Sequence, residues 1–493
     1  MVNYIKKHGE RKGTSFGQKR DPCVGLFGKF MSVWKALRAK PEVNNLQNVC
    51  VTVHGDLPGL QSASLVPAYS SPDTKGQPTP EKAVQSSGHR SGVSSEVWLL
   101  SDISTMQKID PHTLEPIGFA RQDMLHPDLK GHLSSAHAQR DPDTGDVFNF
   151  NLEFGKVSTY RVFRLSKATG KTEILATIQR PDLKPAYIHS LWLSPSFVVL
   201  CVPSTHLGMG GIKVLWENNI VDAIEPFKTT NKCKWFIVDR LHGKGVVAEF
   251  ETDAGFFFHT INAFEERDDK DRTNGTISLS CDVIDYVNHD VMFTMYYDAL
   301  LQRNGAAERL WANEQRIRDC VGRLSRYRFR VPVATGLEKS NGSQEVGGAN
   351  KEGAAAKNDP KISVEKTVTI LGPHAGELPT INPHFVTKRH RYVYSLPSRG
   401  LSTISDTIVK TDMETREAKF WNNPKGHTPG EAIFVARPGG TEEDDGVLLS
   451  VVLDGVNKSS YLLCLDARSM VEVGRAEVGI PVALGFHGMH SEH

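Results

Sequence analysis

The sequence predicts an all-β chain assembled from repeated short-strand units. Three observations carry that expectation: apolar or alternating runs bounded by turn residues, a recurring echo of strand, acidic turn and strand, and a scarcity of helical periodicity. The runs are EVWLLSD at 96–102, SLWLSPSFVVLCVP at 190–203, KWFIVDR at 234–240, RYVYSLP at 391–397 and GVLLSVVLDG at 446–455. Each is short, rich in β-branched and aromatic residues, and closed by Pro, Gly or Asp. The echo recurs in LSDISTMQKIDPHTLEPIG (100–118), TIVKTDMETREAKFW (407–421) and LLCLDARSMVEVGRAEV (462–478), each setting an Asp-containing turn between two strands. Such repetition fits propeller blades and fits a generic β-meander equally well.

Helical signal is confined to two places. Over Val24 to Leu37, VGLFGKFMSVWKAL, the residues Leu26, Phe27, Phe30, Met31, Trp34 and Leu37 recur at spacings of three and four, with Lys29, Lys35, Arg38 and Lys40 on or beside the other face. This stripe can pack on the sheets or lie in a lipid interface. An Arg-rich stretch from about 299 to 324 reads as a second helix.

With 493 residues and 39% apolar content, the chain can bury a large core. Lys plus Arg number 58 against 57 for Asp plus Glu, so no global field attracts nucleic acid. The start, MVNYIKKHGERKG, lacks a secretory apolar region, and no run approaches the ~20 apolar residues of a spanning helix. Seven scattered cysteines without C-x-x-C spacing argue for buried thiols in a reducing compartment. The expected location is cytoplasmic, with any membrane contact peripheral. Two stretches, about 70–95 and 336–361, are rich in Gly, Ser, Pro and charge and read as insertions within one domain spanning 1–493.

Of nineteen histidines, four stand in or beside apolar strand-like runs that end in turns. They are His137 in HLSSAHAQRDPDTGD, His189 in KPAYIHSLWLSPSF, His259 in GFFFHTINAFEE and His487 in GFHGMH. Taken bare, such a histidine is more often a hydrogen-bonded core residue than a ligand. Brought together, neutral imidazoles suit a ferrous ion, because they bind without adding charge. His126, His132, His374, His390, His490 and His493 lie in polar, loop-like context and are not expected to be ligands.

The motifs around those four histidines resemble the carotenoid cleavage oxygenases. FHTINAFEE is similar to the family's F-H-x-x-N-A-[WFY]-E-E box and GFHG to its closing F-H-G. AYIHSLWLSPSFVVL resembles its I-H-D-F-x-x-T-x-x-Y segment, and SSAHAQRDPDTGD its T-A-H-P-K-x-D-P-x-T-G-E. The resemblance implies a seven-bladed β-propeller, with helices and loops capping one face, in which His137, His189, His259 and His487 hold one Fe(2+). It also implies outer acids that accept a hydrogen bond from the ligand rings: Glu377 in GELPTINPHF, Glu431 in GEAIFVARP, and Asp102 in LSDIST where the family has Glu. Asp is shorter by one methylene, so Asp102 is read either as reaching its histidine through water or as a solvated turn carboxylate.

The activity implied is dioxygenase cleavage of a conjugated C=C bond in a carotenoid or apocarotenoid by O2, giving two carbonyl products. SFGQKRDPC at 15–23 and VNNLQNVCVTVHGDLPGL at 43–60 most resemble the fungal branch acting on torulene. The alternatives are a stilbene-cleaving enzyme, for which Tyr4 and Lys35 would supply the phenol-binding pair, and a propeller that binds carotenoid without turnover. The family's G-x-x-x-R-N-G-P and F-D-G-D-G-M-V segments do not occur. The expectation is therefore a first blade cut short, with exposed strand edges and poor folding.

Overall fold

The computed structural model describes residues 15–20, 23–38, 51–60, 65–67, 96–267, 275–332, 363–402, 404–482 and 485–490. Tyr4, the two expected insertions at 70–95 and 336–361, and His493 lie outside them.

Strand chemistry is resolved hairpin by hairpin, and one turn rule recurs. Asp110, Asp141, Asp412 and Asp454 each accept backbone N–H groups from the residues two and three further on. The residue four further on then takes a positive φ: Leu114, Gly145, Arg416 and Lys458. Three of those are not glycine, so the carboxylate's bonds to the turn offset the strain of a left-handed conformation. The acidic echo in the sequence is thus a hairpin code.

The hairpins form six antiparallel sheets in chain order. Blade 1 comprises Val51–His54, Val66–Pro67, Val97–Ser101, Thr105–Ile109 and Pro116–Arg121; blade 2 is centred on Val147–Glu153, Thr159–Leu165 and Thr172–Gln179. Blade 3 contains Phe197–Val202, Cys233–Asp239 and Val246–Thr252, and blade 4 contains Phe256–Glu266, Thr276–Tyr286, Arg323–Pro332 and Ser363–Leu371. Blade 5 runs from Glu377–Thr380 to Ala418–Phe420, and blade 6 from His427–Pro429 to Glu472–Glu477. Apolar faces meet between blades: Trp192, Trp235, Phe257 and Phe329 fill the space between blades 3 and 4, while Tyr394, Phe434, Leu448 and Tyr461 pack blade 5 on blade 6. Burying each such side chain is worth ~2 kcal/mol, which is what holds separate meanders in one ring.

The fold is an all-β propeller, with a correction to the blade count. Seven blades were expected, the first cut short; among the described residues there are six, and the first is a five-stranded sheet. The reason is strand pairing. Val51–His54 aligns along Val97–Ser101 over four residue pairs and becomes the edge strand of blade 1 instead of the remnant of another blade.

The second expected helix is also corrected. Residues 297–319 form three short helices, Tyr297–Leu300, Ala306–Trp311 and Glu314–Asp319, and Arg323–Pro332 is strand. Gln302, Asn304 and Gly305 all take positive φ in the QRNG turn, which a continuous helix cannot contain.

The first helix forms over Leu26–Arg38. Its polar side is clamped to the propeller: Lys29 pairs with Glu217 at 2.7 Å, and Arg20 donates to the Trp216 carbonyl, the Gly28 carbonyl and Ser32 Oγ. Leu26, Phe27, Phe30 and Trp34 instead face solvent, at 77, 77, 56 and 42% exposure. No helix among the described residues is long and apolar enough to cross a membrane.

Candidate metal centre

Blades 1 to 5 each deliver one side chain to a common centre from a strand or the turn beside it, and blade 6 with the segment after it delivers Glu431 and His487. The deliveries are stitched by serines. Ser135 Oγ donates to the His189 carbonyl at 2.6 Å, and the His137 N–H bonds that same carbonyl at 3.4 Å, tying blade 2 to blade 3. Ser190 Oγ donates to the Phe258 carbonyl at 2.6 Å and accepts from the Thr260 N–H at 2.9 Å, tying blade 3 to blade 4. Register shifts around Thr260 bulge the Phe256–Glu266 strand and set the direction of His259.

The rest of the FHTINAFEE motif is anchoring. Asn262 donates to the Phe385 and Lys388 carbonyls and accepts from the Thr387 N–H, locking blade 4 to the loop of blade 5. Glu265 accepts from Ser194 Oγ, Ser196 Oγ and the Ser196 N–H of blade 3.

The result is that His137, His189, His259 and His487 present ring nitrogens all within 4.8 Å of one another. Nε2 of His137 stands 3.1 Å from Nε2 of His189, and Nε2 of His259 stands 3.3 Å from Nε2 of His487. Nitrogens each ~2.1 Å from a shared ion have that neighbour spacing.

Three rings have their far nitrogen tied to an acid. His189 Nδ1 lies 2.8 Å from Asp102 Oδ1, His259 Nδ1 lies 2.6 Å from Glu377 Oε2, and His487 Nδ1 lies 3.1 Å from Glu431 Oε1. A carboxylate accepts, so each Nδ1 carries the proton and each Nε2 turns its lone pair inward. Lone pairs converging on one point repel unless a cation sits between them. The donor set therefore fits a divalent transition metal, and four neutral nitrogens leave that ion its full charge.

Asp102 meets its histidine directly. It is 1% exposed, so neither a solvated turn nor a bridging water describes it. The turn that carries it is docked on blade 2, with the Ser134 N–H bonding the Asp102 carbonyl at 2.9 Å. Backbone approach thus makes up for the missing methylene.

The two Gly-Glu pairs also have a steric cause. A Cβ on Gly376 would lie 2.2 Å from the Leu396 carbonyl carbon, and Leu378 takes φ 50°, so a kink at the start of blade 5 aims Glu377 inward. A Cβ on Gly430 would lie 2.8 Å from the Gly485 carbonyl oxygen, so glycine admits the segment bearing His487. Glu431 holds that segment again through the Gly488 N–H at 3.0 Å.

Burial, and then the positive charge the other three rings would carry, hold His137 well below the usual histidine range. Burial lowers His259 against the opposing pull of Glu377. His54, on the edge strand of blade 1, is pushed down to about 4 by burial, with Arg140 and His487 adding to the shift. It is a neighbour of the centre that sequence reasoning missed, as are Tyr187 and Tyr286, which bond Asp102 and Glu377.

The other histidines lie elsewhere. His126 caps a turn through Asp128, His132 stacks on Phe154, and His374 stands against Phe420. His390 is corrected from loop-like to core. It is 3% exposed, with Nδ1 3.1 Å from Asn262 Nδ2 and Nε2 3.2 Å from Asp282, which also takes both arms of Arg326. A cavity of 640 Å³ between blades 3 and 4 is walled by Lys232, Glu251, Asp285, Arg323 and Lys366, and none of the four histidines lines it. Charged walls do not suit a hydrocarbon ligand.

A propeller with an inner four-histidine, three-carboxylate centre is the architecture of a non-haem metal oxygenase. The chain belongs to the RPE65 (retinal pigment epithelial membrane protein) family of carotenoid oxygenases, whose profile matches residues 6–492. It is similar to a carotenoid dioxygenase of Neurospora crassa, at 52% identity over 99% of this chain and 76% of that protein. A torulene dioxygenase of Gibberella fujikuroi is 44% identical over 99% of this chain and 78% of its own length. Among solved structures, a variant of the Synechocystis apocarotenoid oxygenase matches with a TM-score of 0.57 at 21% identity, over 80% of this chain and 72% of that one. The cobalt-substituted form of the same oxygenase matches with a TM-score of 0.56 at 22% identity, over 80% of this chain and 71% of that one.

Proposed function

We propose that the protein is an Fe(2+)-dependent dioxygenase that cleaves a conjugated C=C bond of a torulene-like carotenoid or apocarotenoid with O2, giving two aldehydes. The observation that carries this is the convergence of four Nε2 lone pairs, three of them directed by Asp102, Glu377 and Glu431. The similarity to carotenoid and torulene dioxygenases over nearly the whole chain supports the substrate class.

His137, His189, His259 and His487 would hold the iron, which supplies the site where O2 is activated against an electron-rich alkene. The protein's share is orientation. The three carboxylates keep their rings in the Nδ1–H tautomer, and Phe258 packs edge-on against His189 with ring centres 5.8 Å apart. No side chain has to move a proton, because alkene plus O2 already balances to two carbonyls. Since blades 1 to 6 each contribute a ligand or an acid, residues 1–493 act as one catalytic domain, with 70–95 and 336–361 as insertions.

Such substrates partition into lipid, and the helix Leu26–Arg38 provides the contact. It is clamped by its polar side and turns Leu26, Phe27, Phe30 and Trp34 outward, the arrangement of an interfacial helix.

Purified Fe(2+) protein incubated with torulene, β-apocarotenals and resveratrol tests the reading. Aldehydes from a carotenoid are expected, and turnover confined to the phenol would overturn it. Iron content should fall at least ~10-fold in His259→Ala and His487→Ala; equal iron in wild type and variants would remove the central claim. Phe27→Glu with Phe30→Glu should abolish co-sedimentation with liposomes while the melting temperature holds. Unchanged sedimentation would remove the docking role.

A further inference from the structure

We propose that Tyr187 and Tyr286 are positioning residues for the metal centre: each holds the outer oxygen of a carboxylate so that the inner oxygen stays aimed at a ligand histidine. This rests on the iron-site reading above and deepens it.

Tyr187 Oη donates to Asp102 Oδ2 at 2.7 Å, while Asp102 Oδ1 takes the His189 Nδ1–H at 2.8 Å. The same phenol oxygen stands 3.2 Å from His189 Nδ1, so ring, acid and phenol form a closed triangle. Tyr286 Oη donates to Glu377 Oε1 at 2.5 Å, while Glu377 Oε2 takes the His259 Nδ1–H at 2.6 Å. Both tyrosines are nearly inaccessible, at 1 and 2% exposure, and they pack with Phe16, Phe256 and Phe258 in one aromatic wall behind the ligands. Burial and the Glu377 charge raise the Tyr286 hydroxyl well above its usual range, so it stays protonated and remains a donor.

A buried carboxylate with one oxygen unpaired loses hydrogen-bond energy and can rotate away from the ring. The phenol removes both options. The constraint matters most at Asp102, whose side chain is a methylene shorter than Glu. Its reach is met from two sides: the Ala136 N–H bonds Oδ1 at 3.3 Å and Tyr187 pins Oδ2. Among the described residues no phenol bonds Glu431; its second oxygen takes the Gly488 N–H instead.

The test measures Fe(2+) affinity by competition with a chromophoric chelator, alongside melting of the metal-free protein. Tyr187→Phe and Tyr286→Phe should each weaken iron binding about 10-fold. Tyr160→Phe is the control, because among the described residues its buried hydroxyl bonds backbone alone, the Lys184 carbonyl at 2.9 Å and the Ala186 N–H at 2.8 Å. It should lower melting and leave the iron affinity of the folded protein unchanged. Asp102→Asn should remove most of the Tyr187→Phe effect, since the two act as one unit.

Unchanged iron affinity in both tyrosine variants of an iron-binding wild type would overturn the inference and leave the four-histidine reading standing. So would fully additive losses with Asp102→Asn. Wild-type protein that fails to take up iron would overturn both.

Discussion

Asp102 and Asp110 sit on the same sheet, eight residues apart, each in a turn between two strands of blade 1. By local sequence they are equivalent. Asp110 caps its own hairpin, accepting the His112 and Thr113 N–H groups at 2.8 Å in open solvent. Asp102 is buried and serves a histidine 87 residues away. The outer end of a blade faces water and needs only a closed turn, whereas the inner end faces the inner ends of other blades. One residue type thus does local work at one end and long-range work at the other, and placement in the ring decides which.

That contrast can be broken by substitution. Asp102→Asn and Glu377→Gln should cost about 10- to 100-fold in iron affinity, because an amide no longer fixes the tautomer of the ring it faces; a chelator titration reads this directly. Gly376→Ala should come next. Its Cβ would press on the Leu396 carbonyl carbon at 2.2 Å, so a loss of about 1–3 kcal/mol in stability of the metal-free protein is expected from urea unfolding.

The smallest effect belongs to Asp110→Asn, which should leave iron affinity unchanged and slightly lower stability at neutral pH, a difference that vanishes at acid pH. Backbone N–H groups, Thr113 first and then His112, hold the Asp110 carboxyl below its usual value of 3.8. Its contribution is therefore complete above that value and fades as pH falls through the lower, folded-state value. Replacing it should lower the stability plateau above that range, with wild type and variant converging as pH falls below the folded-state value. An iron defect in Asp110→Asn would erase the distinction between the two ends of the blade.

Much of the centre was legible because motif residues keep close company with their scaffold. His189 lies beside Ser190, His259 three residues before Asn262, and each Glu follows the Gly that lets its backbone approach. Tyr187 carried a usable signal too, two residues from His189 and so on the same side of an extended segment. Tyr286 carried none, being 91 residues from the acid it holds. His390 was misread for the same reason, since the Asn and Asp that bury it come from blade 4.

Local chemistry by itself determined the hairpins, through Asp and a positive-φ residue four positions on, and the strands, through alternation and β-branched content. Motif resemblance, and not local chemistry, marked the four histidines and three acids that converge. The blade count was decided by tertiary pairing, because whether Val51–His54 joins blade 1 or another sheet depends on an edge 44 to 50 residues away, a distance read from His54 against Trp98 and Val51 against Ser101. The exposure of Phe27 and Phe30 was decided in the same way. An amphipathic stripe does not say which side is clamped, and the Lys29–Glu217 pair across 188 residues does. Period and turn chemistry act over a few residues, whereas burial and charge pairing act across the ring.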